Sequence, residues 1–243
     1  MCMPKTKRQE TTEISARQKS LLFIIIKEYS ETGQVLGSVE LAQNYDLGFS
    51  AATIRNEIAK LRDLGYLYQP FINSTSIPTE LAFRLLINQL ITGLGYTHKQ
   101  HNELKVQIKK LEKDHLVLQK ELTRLISTKS GGASFLVNEA NQNISGIKNL
   151  MSQSGKDEDI EQVLDFLDNI DRHKKNLLQD NNETGKISTV FEGQIGRGYG
   201  MVATQVMLGN QKSTIGIITP MHLLADEKKL KLIEAISKIL SED

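Results

Sequence analysis

The spacing of apolar residues changes along this chain, and that change limits the folds it can adopt. Between residues 15 and 128, apolar side chains recur every three or four residues, which is the spacing of amphipathic helices. From Ile187 onwards they alternate with polar residues, as in strands, until a last helical segment at 225–240. A helical first half followed by mixed elements predicts an α+β protein, and 243 residues are enough for two modest domains.

The composition excludes several classes of protein. Cys2 is the only cysteine, so an internal disulfide and a cysteine metal cluster are excluded. The longest uninterrupted apolar run, Leu21–Ile26, is far too short to span a bilayer, and the N-terminus lacks a signal-peptide pattern. We therefore expect a cytoplasmic protein that has no membrane partner.

The first ninety residues predict a series of short elements. Residues 1–14 are polar and basic, which indicates a flexible arm. Helices are then expected from Ser15 to Gly33, from Ser38 to Tyr45 and from Ser50 to Leu64, with a turn at Asp46–Gly48. Gly33 is the predicted stop of the first helix, and Ser50 is the predicted N-cap of the third. Short strands at Tyr66–Gln69 and Ile77–Pro78 form a hairpin, and a fourth helix begins near Thr79. This order predicts a winged helix-turn-helix domain over residues 15–92.

The third helix carries the predicted DNA-reading surface. Ala51, Ile54, Ile58 and Leu61 share one face, which would pack on the domain. The opposite face and its edges are polar or cationic, and such side chains can contact base edges or phosphates. The predicted DNA-binding residues are Ser38, Ser50, Thr53, Arg55, Asn56 and Lys60. Two alternatives stay open: an ordinary solvated face, and a winged helix that binds protein.

The distribution of charge matters more than its sum for DNA binding. The formal net charge is +1, and residues 1–80 hold nine Lys or Arg and nine Asp or Glu. That balance argues mildly against DNA binding. However, basic residues cluster at Lys5, Lys7 and Arg8, and again at Arg55, Lys60 and Arg62. Because binding depends on the local field at the phosphates, these clusters favour it.

A long connector and a second domain follow. Leu104, Ile108, Leu111, His115, Leu118, Leu122 and Leu125 alternate in spacing between four and three, which is a heptad seam. The seam predicts one coiled-coil-like helix over residues 98–128 that joins two domains or pairs two protomers, with His115 as a candidate acid-sensitive position. Residues 133–243 are expected to form a GAF-like α+β domain for dimerisation or sensing. Its predicted elements are strands at Ser134–Val137, Ile187–Phe191, Met201–Leu208 and Thr214–Ile218, and helices at Asp159–Leu178 and Ala225–Leu240.

No catalytic constellation can be assembled from the sequence. The glycines Gly193, Gly196, Gly198 and Gly200 match no nucleotide-binding fingerprint and indicate a loop between strands. His98 and His101 lie one helical turn apart, but they lack a clear third metal ligand. We therefore expect a protein that is not an enzyme and has no cofactor and no metal.

One pattern covers roughly residues 15–90 and is most distinctive in Ala52-Thr-Ile-Arg-Asn and the following Leu64-Gly-Tyr-Leu. In these stretches the chain resembles the HrcA family, the bacterial heat-inducible repressors of chaperone operons. Ile144-Ser-Gly-Ile-Lys-Asn-Leu and Ile215-Gly-Ile-Ile-Thr-Pro-Met resemble the family's C-terminal region. Two departures stand out: Asn73–Ser76 replaces the family's Ser-Ala-Gly-Arg hairpin tip, and the stretch from Ser134 to Asn143 is too short for the family's inserted dimerising domain.

The resemblance implies a function and partners. It implies a negative regulator of transcription that binds double-stranded DNA at an inverted-repeat operator ahead of heat-shock chaperone genes, with activity supported by the GroEL chaperonin. An inverted repeat requires a symmetric pair of reading helices, so a homodimer is expected. The alternatives are a winged-helix adaptor that binds protein and a regulator of a different, non-chaperone regulon.

Overall fold

A computed structural model describes residues 14–93, 97–111, 115–153, 157–170, 172–173, 187–191, 195 and 198–241. The chain folds into two compact units, Met1–Ala82 and Phe83–Asp243. Helices and antiparallel sheet occur together, which confirms the predicted α+β class. Among the residues listed above, none forms a helix that is both long and apolar enough to cross a membrane.

The first unit follows the predicted order of elements closely. In chain order, its described part contains α1 (Ala16–Thr32), α2 (Ser38–Asn44), α3 (Ala51–Asp63), β1 (Leu67–Tyr68) and β2 (Ile77–Pro78). The two strands pair in antiparallel fashion, with Leu67 opposite Pro78. Local chemistry sets the helix ends: the Ser15 hydroxyl accepts from Gln18 N at 3.2 Å, and Gly33 ends α1 with a φ of 69°.

The core of this unit consists of aliphatic side chains from all three helices and β1. Its fully buried members are Leu21, Leu22, Ile25, Ile26, Leu41, Ile54, Leu61 and Leu67. Burying each of these side chains contributes roughly 1.5–3 kcal/mol. Ile14 is also buried, so the prediction that the flexible arm extends to residue 14 is wrong at its last position. The rest of that arm, residues 1–13, lies outside the described residues.

From Glu80 onwards, helices surround a sheet. The described elements are α4 (Glu80–Gly93), α5 (His98–Lys109), α6 (His115–Ser130), β3 (Ala133–Asn138), β4 (Gln142–Ser145), α7 (Ile147–Gln153), α8 (Asp157–Asp168), β5 (Ile187–Phe191), β6 (Tyr199–Leu208), β7 (Gln211–Pro220), α9 (Met221–Leu224) and α10 (Glu227–Ser241). The strands form a five-stranded sheet in the order β4-β3-β7-β6-β5, and all neighbours are antiparallel.

Helices cover both faces of this sheet. One face buries Phe135 and Met201 against Leu150 of α7 and Phe166 of α8. On the other face lie α6 and α10. Because both faces are covered, β3 is buried along its whole length.

The predicted connector helix is wrong in two respects. The structure describes two helices there, α5 and α6, and α5 ends at Lys109. Both pack against α10 of the same chain, and Leu104, Ile108 and Leu122 of the predicted seam are buried within that chain. Their apolar surface is already covered, so these three residues do not pair protomers. The side chain of His115 lies outside the described residues.

The remaining differences concern short elements. The strands expected at Ser134–Val137, Ile187–Phe191, Met201–Leu208 and Thr214–Ile218 are confirmed, and several are longer than expected. The sequence pattern gave no indication of β4 or α7. The expected helix at Asp159–Leu178 is present as α8, which begins at Asp157 and ends at Asp168; residues 174–186 lie outside the described residues.

Candidate nucleic-acid interface

Helix α3 is positioned by its cap and by its buried face. Ser50 is the predicted N-cap: its hydroxyl accepts from Thr53 N at 3.2 Å. Ile54 and Leu61 are fully buried, as expected, but the third buried member of this face is Glu57, whereas Ile58 is only half-buried. The buried face is therefore rotated towards Glu57 from the predicted position, and this rotation brings Ile58 to an open edge.

Two side-chain contacts hold the segments before α3 on α1. The hydroxyl of Tyr45, at the end of α2, donates a hydrogen bond to the Glu28 carboxylate. That hydrogen bond, followed by desolvation and by the negative charges of Glu28 and Glu31, raises the pKa of Tyr45 to about 12. In the turn after α2, the ring of Phe49 lies 3.8 Å from the Arg17 guanidinium carbon, which is cation–π geometry. Both contacts hold the segments before α3 against α1, and neither involves the outward face of α3.

The outward face of α3 presents two side chains that have no partner. Arg55 and Asn56 are exposed, and neither makes a hydrogen bond or an ion pair with the part of the chain that the structure describes. Arginine can donate two hydrogen bonds to guanine, and asparagine can donate to and accept from adenine. The two predicted base-reading residues are thus accessible to a ligand.

Lys60 is accessible but already paired. Its Nζ lies 3.1 Å from Glu57 Oε1, and the two side chains are 61% and 10% exposed. The carboxylate is nearly buried, so it depends on this lysine for compensation of its charge. The predicted phosphate contact of Lys60 therefore competes with an internal salt bridge.

The predicted serine and threonine residues lie at the edges of the face. Ser50 and Thr53 are close to each other, with 3.0 Å between their hydroxyl oxygens. Ser38 lies apart from them, in an open groove of about 400 Å³ between the start of α2, α3 and the loop that joins β1 to β2. The groove is lined by Leu36, Gly37, Ser38, Arg55, Ile58, Arg62, Gln69, Asn73, Ser74, Thr75 and Ser76.

Arg62 belongs to this site, although the predicted DNA-binding residues did not include it. It lines the groove with Arg55, and its guanidinium donates a hydrogen bond to the side-chain oxygen of Gln69. Arg62 follows Arg55 by seven residues, which is close to two full turns, so both side chains fall on one side of α3. That spacing was a sequence signal for the pair.

Other sequence candidates stay apart from this site. His98 and His101 lie on α5 in the second unit. Among the described residues, no group of three or more His, Cys, Asp or Glu side chains could hold a metal ion. Of the four glycines, Gly198 lies in a turn with a φ of 78° and Gly200 lies in β6, while Gly193 and Gly196 are outside the described residues. Lys5, Lys7 and Arg8 of the basic arm are also outside them.

Comparisons with known proteins align up to about half of the chain with HrcA proteins. A 134-residue alignment with the heat-inducible transcription repressor HrcA of Clostridium botulinum (strain Eklund 17B / Type B) is 37% identical and covers 51% of this chain and 39% of that protein. HrcA of Clostridioides difficile (strain 630) is 42% identical over 80 residues, which are 33% of this chain and 24% of that protein. The resemblance to HrcA is confirmed.

The HrcA of Sorangium cellulosum (strain So ce56) is 35% identical over 122 residues, covering 50% of this chain and 35% of that protein. The chain thus spans less than half the length of these HrcA relatives. No family model matches it. One solved structure, titled as a hypothetical protein at 2.2 Å resolution, matches 95% of this chain and 98% of its own with a TM-score of 0.75. At 15% identity, that match shows a shared fold only.

Proposed function

We propose that this protein is a transcriptional repressor that acts by occupying operator DNA, with α3 in the major groove. The observation that carries the proposal is the outward face of α3, where Arg55 and Asn56 are exposed and unpaired among the described residues. The similarity to HrcA, a heat-inducible transcription repressor, supports it. Residues 15–92 would then form a winged helix-turn-helix, in which α2 and α3 form the helix-turn-helix and the hairpin forms the wing.

Each residue of the site has a role in this proposal. Asn56 reads a base edge, and Arg55 reads a guanine or clamps a phosphate. Ser50 and Thr53 lie at the N-terminus of α3, where backbone N–H groups and the helix dipole favour a phosphate. Lys60 would have to leave Glu57 to reach a phosphate, and because the Glu57 carboxylate is nearly buried, that exchange would cost more than the loss of an exposed ion pair, so Lys60 has the smaller role.

The second unit would provide the symmetry that an inverted repeat requires. We infer that residues 133–243 form a GAF-like domain for dimerisation or sensing, and that two copies of the chain bind one operator. The antiparallel sheet with helices on both faces supports this assignment. Because Leu104, Ile108 and Leu122 are buried within one chain, the dimer contact would use other surfaces.

The remaining parts of the proposal do not depend on the geometry of α3. Control of heat-shock chaperone operons and a supporting interaction with GroEL depend on the HrcA resemblance alone, and a cytoplasmic location depends on that resemblance and on the composition. The balanced charge of residues 1–80 favours the competing reading, an adaptor that presents the same surface to a protein. Such an adaptor would show no salt-sensitive affinity for DNA.

A binding titration over a series of salt concentrations separates the two readings. The probes are duplexes selected by the wild-type protein from a random-sequence pool, together with promoter fragments of chaperone genes. We expect the logarithm of the specific binding constant to fall linearly with the logarithm of the salt concentration. Asn56→Ala should weaken specific binding by roughly 1–3 kcal/mol, which is the discrimination that one base contact supplies.

Arg55→Ala should weaken binding and also lower the salt dependence if the guanidinium contacts a phosphate. Lys27→Ala is the matched control, because it removes one exposed positive charge from α1 and only a weak ion pair with Glu31 at 4.0 Å. Wild-type affinity in both the Arg55 and the Asn56 variants would overturn the proposed site. A protein that selects no duplex from the pool would overturn the function.

A further inference from the structure

The loop between β1 and β2 exposes an unusual pair of apolar side chains. Phe71 is 77% exposed and Ile72 is 92% exposed, the highest values for large hydrophobic residues in the described part of the chain. The other exposed hydrophobics of the first unit, such as Val39 at 50%, are single residues. Two adjacent ones at the tip of a hairpin are a contact surface that the proposed roles of α3 do not use. Residues 69–76 are called the hairpin tip below.

The hairpin tip is held in shape by hydrogen bonds. Ser74 N donates to Phe71 O at 3.1 Å, which closes a four-residue turn, and the Ser74 hydroxyl accepts from Phe71 N at 3.2 Å. Asn73, the third residue of that turn, has a φ of 68°, as a type II turn requires. The turn therefore holds the side chains of Phe71 and Ile72 in an exposed position.

The base of the tip is tied to the proposed reading helix. The side-chain amide of Gln69 donates to Ser74 O at 2.8 Å and accepts from Arg62 of α3. The far side of the tip, from Asn73 to Ser76, lines the same groove as Arg55. A duplex bound to α3 would therefore lie next to the tip, because α3 and the tip belong to the same folded unit.

The tip has no charge with which to attract phosphates. Residues 66–79 contain no Asp, Glu, Lys or Arg. The hydroxyl and amide side chains of the tip can donate to phosphates only as neutral groups, and its most exposed large side chains, Phe71 and Ile72, are apolar. Apolar side chains at such a position contact DNA productively by entering the minor groove and partly separating a base step.

We propose that Phe71 and Ile72 form an apolar wedge that enters the minor groove beside the α3 site and bends the operator. This inference rests on the proposed DNA-binding function and adds a second mode of recognition to it. Separating a base step is unfavourable, and burial of the two apolar side chains offsets that cost. Because pyrimidine–purine steps unstack most easily, the wedge would select TA or CA/TG steps that no hydrogen bond reads.

The test compares bending, affinity and salt dependence on one selected duplex. The wild-type protein should shorten the end-to-end distance of a duplex that carries fluorescent dyes at both ends. The double variant Phe71→Ser/Ile72→Ser should lose most of that bend and about tenfold in affinity, which is the size of one lost base-step contact. Its salt dependence should stay at the wild-type value, since no charge is removed. Met151→Ser, at a residue 59% exposed in the second unit, is the matched control for removing exposed apolar surface.

Replacing the flexible step opposite the tip by an A-tract should produce the same loss in the wild-type protein and little further loss in the double variant. Hydrogen exchange of α3 should be equal in all variants, which excludes unfolding as the cause. Equal bending and affinity in the wild type and the double variant would overturn the wedge while leaving DNA binding by α3 intact. So would a double variant that keeps its DNA affinity but changes its sedimentation, because the tip would then be a protein contact. If the wild type selects no duplex at all, the proposed function fails, and the wedge fails with it.

Discussion

Ser50 can be varied to separate the stability of α3 from its proposed contact with phosphate. Its hydroxyl caps α3 by accepting from Thr53 N at 3.2 Å. Ser50→Ala removes that cap and should cost about 1 kcal/mol, which corresponds to a roughly fivefold rise in local opening of the helix. Ser50→Asp retains a capping oxygen and places a negative charge at the positive end of the helix dipole, so it should preserve or slightly increase stability.

The two substitutions should have different effects on DNA binding. The alanine variant should bind almost as the wild type does once the helix is formed. In the aspartate variant, a carboxylate about 4 Å from a phosphate would be repelled by roughly 1 kcal/mol in a water-like environment and by more where water is excluded. Affinity should therefore fall about fivefold or more for each half-site.

Hydrogen exchange over residues 50–64 measures the cap, and a binding titration at low salt measures the contact. Ser20→Asp adds the same charge to an exposed position of α1 and serves as the control for net charge. Unchanged exchange in Ser50→Ala would show that the cap contributes nothing. Wild-type affinity in Ser50→Asp, with a stable α3, would show that this end of the helix does not face the duplex.

Three further predictions concern stability. Because the hydrogen bond to Glu28 raises the pKa of Tyr45 to about 12, the free energy of unfolding should fall as pH rises from 10 to 12, and Tyr45→Phe should flatten that dependence in alkaline denaturation curves. Burial, and secondarily the charge of Lys229, lowers the pKa of His222, so stability should be lost as pH falls below 6.5; His222→Gln should retain it there. Gly146 has a φ of 81°, and a Cβ there would lie 2.6 Å from the carbonyl oxygen of Gly132, so Gly146→Ala should destabilise the protein by about 2 kcal/mol or more in urea unfolding.

The features predicted correctly from the sequence are those set by a few neighbouring residues. Ser50 was predicted as a cap and Gly33 as a stop, because both effects act within one helical turn. The face of α3 was predicted less accurately. The apolar pattern assigned Ile58 to the core, but the structure buries Glu57 there and pairs it with Lys60. An apolar pattern cannot predict that Glu57 is buried, because Glu57 is charged and its burial depends on the ion pair with Lys60 three residues later.

The heptad seam shows a different limit. Its spacing correctly indicates that Leu104, Ile108 and Leu122 are buried along one side of a helix. It does not specify what covers them: α10, more than a hundred residues away in sequence, contacts both α5 and α6, and the strands β3 and β4 also contact α6. Pairing between distant segments of one chain and pairing between two chains leave the same periodicity, so the sequence could not distinguish them.

The exposed side chains of the hairpin tip could not be predicted for a third reason. Pro70 and the residues after it indicate a turn, but a turn does not fix which side chains point outwards. In the structure, the positive φ of Asn73 and the bonds of Ser74 turn Phe71 and Ile72 into solvent. That arrangement depends on Gln69 and on Arg62 from the preceding helix, so it follows from tertiary contacts.

The salt bridge between Glu57 and Lys60 bears on how such a repressor would find its target in a genome. With Lys60 held by its own helix, Arg55 is the one lysine or arginine of α3 that has no partner among the described residues. Attraction to arbitrary sequence grows with the number of cations that face the phosphates. Helix α3 should thus contribute little to binding of irrelevant DNA, which favours the correct operator over the many competing sites of a genome.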